Sequence, residues 1–379
     1  MDWNAWRAEF PILARRTYLN SCSLGALSRR AESRIATFHE QWHTYGAAAW
    51  YELWMAAIGE LRERVAAMLG ASGDELALTA STSVALAPVA TALDHRERPR
   101  VVIGELDFPT LGYQWMVRDD VEVVRVRSDD GATIDPARFA EAVDERTAVL
   151  ATSHVFFTTG AIQELRALAD IAHARGALFL VDAYQSVGQV PVDMRAVGAD
   201  IFITGPLKWL LGGPGLAYLY VRRELIAELR PRIAGWFGAR DQFAFDITRF
   251  AFKDDARRFE LGTPALPTVH AALGGQEIID EIGVPAIRAR NSVLTERLIA
   301  RARDAGFRVR CAPVAERRSA IIMIAHADPM AAVARLAERG IIVDARPGYV
   351  RVSPHFYNTE AEADLVIDVL ATGDKHDAR

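Results

Sequence analysis

Apolar residues in this chain follow two periods that take turns. Short, nearly continuous apolar runs (RVVIGEL, TAVLATSHVFF, LFLVD, ADIFITG and LAYLYV) are set off by Gly- and Pro-marked turns, the pattern of strands buried on both faces. EVVRVRS adds another strand-type run. Segments 136–143 and 162–175 carry helical spacing between them. Helical periodicity also runs from about Ala31 to Leu69, as two helices broken near Gly46, and a further helix opens at Ser81-Thr82-Ser83 after the short strand in LALTA. Strands and helices in alternation predict a parallel sheet covered on both faces, with ligands held at the carboxyl ends of its strands. From about Pro267 a long helix bridges to a second alternation: FRVRC, AIIMIAH, a helix at 329–339, IIVDARP and YVRVSPHF. A final helix is capped by Thr359, with Glu362 three residues on. The expected fold class is α/β, with a turn-rich N-terminal segment over 1–30, a large domain over 31–255, and the bridging helix plus a small C-terminal α/β domain over 256–379.

Composition narrows the function classes. Of 379 residues, 51% are hydrophobic and 25% charged, as in a soluble globular protein. A net charge of −5 gives no support for binding nucleic acid or an anionic membrane. No apolar run approaches the roughly 18 residues of a membrane span, and MDWNAWRAEFPI lacks the basic-then-apolar order of a signal peptide. The two cysteines, Cys22 and Cys311, are far apart and argue against a disulfide framework or a Cys-rich metal site. The cytoplasm is the expected location.

Lysine usage points to chemistry. The chain has three lysines, Lys208, Lys253 and Lys375, against dozens of arginines. Lys253 lies in the charged run FKDDARR and Lys375 in the polar tail; Lys208 alone lies among apolar and glycine residues. A guanidinium keeps its proton, whereas a desolvated ammonium becomes a neutral amine able to attack a carbonyl. A second motif, HEQWH from His39 to His43, matches the H-E-x-x-H pattern, with Glu40 as base and Glu60 or Glu63 as third ligand of a zinc hydrolase. No glycine-turn signature supports it, and no metal is expected. The hydroxyls of Thr82 and Ser83 at a helix N-terminus make an anion site suited to a phosphate.

Asp182, Gln185 and Lys208, in the setting VDAYQSVGQVPVD…DIFITGPLKWLLGGPG, resemble the core of the class V aminotransferase family. That family includes cysteine desulfurases, kynureninases and isopenicillin N epimerase-like proteins. The resemblance implies the type I fold of pyridoxal 5'-phosphate (PLP) enzymes, with a mainly parallel seven-stranded sheet in the large domain. It implies that Lys208 holds PLP as a Schiff base and shuttles the Cα proton. Asp182 would protonate the pyridine nitrogen, Gln185 meet the ring hydroxylate, and Thr82 and Ser83 bind the phosphate. FPT is similar to the kynureninase motif whose phenylalanine stacks on the ring, which assigns Phe108. The SLG step resembles the kynureninase loop over the active site and makes Ser23 a substrate-side candidate. GWFG and GTP resemble segments that reach the partner's phosphate, which assigns Trp236 and Thr263 and implies a homodimer with shared active sites. DARPGYVRVSPHFYNT looks like the carboxylate-binding strand, with Arg351 structurally fixed and Arg346 the more substrate-dependent candidate.

Two departures shape the expected reaction. Leu207 precedes the lysine where desulfurases carry histidine and kynureninases tyrosine, and Pro206 replaces a possible hydroxyl donor. Residues 325–346 contain no cysteine, so a persulfide-forming desulfurase is disfavoured. The expectation is a Cβ lyase or hydrolase acting on a small amino acid without a catalytic cysteine. A class V aminotransferase is the alternative. Further alternatives are a non-catalytic PLP-binding protein, or an epimerase whose second proton donor would be Tyr113, His154 or Tyr184.

Overall fold

The computed structural model describes residues 1–374; Lys375 lies outside the described residues. The strands are β1 (Thr17–Tyr18), β2 (Leu76–Thr79), β3 (Arg100–Gly104), β4 (Glu122–Val126), β5 (Thr147–Ser153), β6 (Leu178–Asp182), β7 (Ile201–Thr204), β8 (Ala217–Val221), β9 (Val309–Arg310), β10 (Ile322–Ala325), β11 (Ile341–Ile342), β12 (Asp344–Arg346) and β13 (Tyr349–Val352).

β2 to β8 form a seven-stranded sheet in the order β2-β8-β7-β6-β5-β3-β4. β8 alone runs against its neighbours β2 and β7; every other pairing is parallel. Both faces are buried, and side chains alternate between them along each strand. On β6, Phe179 and Val181 join one core with Leu168 and Ala172 of the helix Leu165–Ala174. Leu180 faces the other core, with Leu86 and Val89 of the helix Thr82–Ala92. The sequence-derived helix at 162–175 begins only at Leu165, because Ala161 and Ile162 are held as extended bridges to Arg318 and Val155.

The expected bridging helix is two helices, Leu266–Ile282 and Val284–Asp304, broken at Gly283. The first packs on the helices Arg29–Tyr45 and Met55–Met68; the second packs on β10 and the last helix, Glu360–Asp374. The run IIVDARP likewise divides. β11 pairs in parallel with β1, while β12 joins an antiparallel sheet of order β12-β13-β10-β9. The N-terminal segment is therefore stitched to the C-terminal region. Arg7 grips Glu362 with two hydrogen bonds of 3.0 and 2.8 Å, and the Phe10 ring lies 4.5 Å from that of Tyr357. Thr359 and Glu362 exchange backbone-to-side-chain hydrogen bonds at the start of the last helix, the reciprocal cap read from the sequence. Among the described residues no helix is long and apolar enough to cross a membrane.

Candidate active site

The carboxyl ends of β5, β6 and β7 open into a cavity of about 290 Å³. Its lining includes Lys208, Asp182, Gln185, Phe108, Thr82 and Ser83. Lys208 lies just beyond β7 on a turn that the N-terminal loop clamps. Gly25 N–H donates to the Leu207 carbonyl at 2.9 Å, and a Cβ on Gly25 would lie 2.1 Å from the Lys208 carbonyl. Glycine in the SLG step is thus demanded by backbone contact with the lysine-bearing segment. The same turn holds Leu211, a buried non-glycine residue at φ +62°.

Burial pushes the Lys208 amine down to about 8. The Cys22 thiol and Asp182 carboxylate oppose that shift, while the Arg351 and Arg346 charges reinforce it. Lys208 has no ion-pair partner among the described residues; its Nζ lies 5.1 Å from the Tyr184 ring centre and 5.9 Å from that of Phe108. Asp182 is buried at the end of β6. Desolvation raises its pKa, opposed by the Tyr184 N–H donated to Oδ1 at 2.9 Å and by Lys208.

Gln185 is oriented by long-range contacts. Its Nε2 donates to the Cys22 carbonyl at 3.0 Å and its Oε1 accepts from Trp209 Nε1 at 2.9 Å. Thr82 and Ser83 open a helix whose N-cap Ser81 accepts from Val84 N–H, and the first helical bond runs from Ala85 N–H to the Ser81 carbonyl. The amides of Thr82 and Ser83 precede that bond and lie at the helix's positive end. Phe108 is half-exposed and meets Phe157 edge to face at 5.2 Å. Its predecessor Asp107 accepts from Gly104 N–H, Ser153 N–H and Thr152 Oγ1, tying the ends of β3 and β5 together beneath it.

Arg346, Arg351 and Ser23 are not part of the cavity wall; they form an ion cluster behind it. The two-residue turn Pro347-Gly348 joins β12 to β13 and sets Asp344 opposite Arg351. Arg351 is 2% exposed. Its Nη1 donates to the carbonyl of Phe157, a wall residue, at 3.1 Å, and its Nη2 to Asp344 Oδ2 at 2.6 Å and Ser23 Oγ at 2.8 Å. Arg346, more exposed, meets the same Asp344 oxygen at 2.8 Å. Sequence reasoning missed Asp344, although period-two alternation puts it on the face of Arg346 and the turn length brings Arg351 across from it.

Trp236 and Thr263 also lie away from the cavity of their own chain. Thr263 is exposed. Trp236 donates to the Gln242 carbonyl at 2.5 Å and packs with Phe243 and Phe245. Of the three candidate second proton donors only Tyr184 reaches the cavity, and its hydroxyl donates to the Leu216 carbonyl at 3.2 Å. His39 and His43 sit on the helix Arg29–Tyr45, and among the described residues no group of three or more His, Cys, Asp or Glu is arranged to hold a metal.

The lining fits an aromatic phosphate-bearing aldehyde. A partly neutral amine stands beside a buried acid, an aromatic ring flanks the space, and hydroxyls at a helix N-terminus line it. The family model for class-V aminotransferases matches residues 24–366. The uncharacterized aminotransferase YcbU of Bacillus subtilis is 32% identical over 373 residues, 98% of each chain. A kynureninase of Geobacillus thermodenitrificans is 29% identical, over 96% of this chain and 90% of its own. The fold matches that of a cysteine desulfurase from Thermococcus onnurineus with a TM-score of 0.89 at 22% identity, over 98% of this chain and 97% of the other.

Proposed function

The chain belongs to the class V aminotransferase family and is a PLP-dependent enzyme, and from that premise we propose that it is a Cβ lyase or hydrolase of a small amino acid. The observation that carries the assignment of the site is Lys208: a poorly solvated amine brought down to about 8 beside a buried acid. Lys208 anchors the cofactor covalently and carries the proton to and from the substrate Cα. Bound PLP supplies an electron sink for charge developing at that carbon. Asp182 would keep a proton on the pyridine nitrogen, whose charge would in turn favour the ionised carboxylate. Phe108 would flank the ring, Gln185 would have one N–H left for the ring oxygen, and Thr82 and Ser83 would hold the phosphate.

Chemistry at Cβ is supported by the SLG, FPT and GWFG features, which resemble those of kynureninases, and by the 29% identity to a kynureninase over 96% of this chain. Neither cysteine suits a persulfide role: Cys22 is buried, and Cys311 packs at the edge of the small-domain core. Epimerisation lacks support, since the Tyr184 hydroxyl is engaged by the Leu216 carbonyl. Transamination is the second reading, favoured by the match to YcbU over nearly the full length of both chains. We further propose a symmetric homodimer in which Trp236 and Thr263 reach the partner's phosphate. The exposed Phe243, Phe245, Ile247 and Phe250 are surface for it to cover. An amino-acid screen with cofactor spectra and product analysis tests the reaction. Cβ-cleavage products are expected, and conversion to pyridoxamine phosphate without Cβ cleavage would establish transamination instead.

A further inference from the structure

Asp344 Oδ2 is the meeting point of three donors from three places in the chain: Arg351 Nη2 at 2.6 Å, Arg346 Nη1 at 2.8 Å and Ser23 Oγ at 3.2 Å. Its other oxygen accepts from Ala345 N–H at 2.8 Å. Two guanidiniums and a hydroxyl converging on one carboxylate oxygen form a carboxylate receptor. Here that receptor is filled by a side chain of the same protein.

The two arginines differ in freedom. Arg351 is enclosed and also tied to the Phe157 carbonyl. Arg346 has an exposed edge and, among the described residues, meets besides Asp344 only its neighbour's carbonyl, Ala345 O, at 2.6 Å. Arg351 Nη1 donates to the carbonyl of Phe157, which lines the cavity, so the cluster lies directly against the cavity wall.

We propose that Asp344 is a specificity-determining residue: it occupies the carboxylate-binding position of the free enzyme, and an incoming substrate carboxylate takes Arg346 from it while Asp344 stays on Arg351. The proposal rests on the reading of the cavity as a PLP site for amino acids. Two arginines against one acid leave the cluster a single net positive charge, enough for one carboxylate. Each carboxylate ligand must displace an ion pair before gaining its own, so Asp344 lowers affinity for every amino acid and favours those with further contacts in the cavity. A ligand can shift such an arrangement only through its differential affinity for the two states.

The probe is propionate, titrated by calorimetry into the PLP-loaded protein and into the PLP-loaded Asp344→Asn variant. Asparagine keeps the shape and one acceptor oxygen but removes the competing charge. Propionate is expected to bind the variant at least about tenfold more tightly, within the usual range of such couplings. Equal or weaker binding would overturn the proposal and make Asp344 a support for Arg351. A retained cofactor spectrum and unfolding midpoint show that the variant is folded. Should it not fold, Arg346→Gln decides: loss of propionate binding by about tenfold or more is expected, and undiminished binding overturns the proposal. Absence of any PLP adduct on Lys208 would instead fail the underlying PLP reading, which these affinities do not test.

Discussion

Lys208 and Arg351 are two basic side chains drawn out of water, and they differ in what meets them. Lys208 has no ion pair among the described residues, and burial brings its amine down to about 8. Arg351 is buried more completely, and Asp344, Ser23 and the Phe157 carbonyl meet its guanidinium. Pairing, and the differing chemistry of an amine and a guanidinium, separates the two. In the proposed function the turn after β7 supplies the nucleophile and the β12–β13 hairpin a fixed positive anchor.

The comparison breaks most sharply at Lys208. Lys208→Arg keeps a cation at the position but cannot supply a neutral amine, so turnover should fall by at least about a thousandfold. Turnover close to native, measured with the substrate found in the screen, would remove Lys208 from its role. Asp182→Asn comes next: the fold and bound cofactor should persist while Cα deprotonation slows by orders of magnitude, because a neutral pyridine is a poor electron sink. Solvent deuterium exchange at Cα measures this directly, and exchange at the native rate would contradict it.

A pH series sharpens the contrast further. Only the unprotonated amine captures PLP, and the folded-state pKa of Lys208 is lowered to about 8. The rate of PLP uptake by cofactor-free protein should therefore rise with pH and level off above about 8. An unperturbed lysine would keep gaining to about 10.4. Stopped-flow absorbance distinguishes the two profiles.

Arg351 predicts a loss of stability. Arg351→Leu leaves Asp344 with one guanidinium and should cost about 3 kcal/mol in denaturant unfolding. A cost under about 1 kcal/mol would mean that pairing does not hold the hairpin. The smallest effect is at Cys311→Ser, which should keep turnover within about twofold; a large loss would reopen thiol chemistry.

How much of this was legible in the sequence follows the range of the interactions involved. The seven strands of the large sheet stood out because each is a short apolar run with turn residues at its ends. Lys208 stood out because lysine is rare in this chain. The clamp at Gly25 did not, since its close approach to the Lys208 carbonyl spans much of the chain and leaves no local signature. Likewise, the cross-strand pairing of Asp344 was implied by alternation and a two-residue turn, but the third partner, Ser23, comes from the distant N-terminal loop. The break at Gly283 was missed because apolar spacing continues through it, while the glycine adopts φ +80°.

The most direct test of the account is to reduce the PLP-loaded protein with borohydride and map the modified peptide. With only three lysines in the chain, the assignment is unambiguous. A single reduced pyridoxyl adduct on Lys208, absent in Lys208→Ala, is the predicted result. No adduct, or an adduct carried by Lys253 or Lys375, would contradict it.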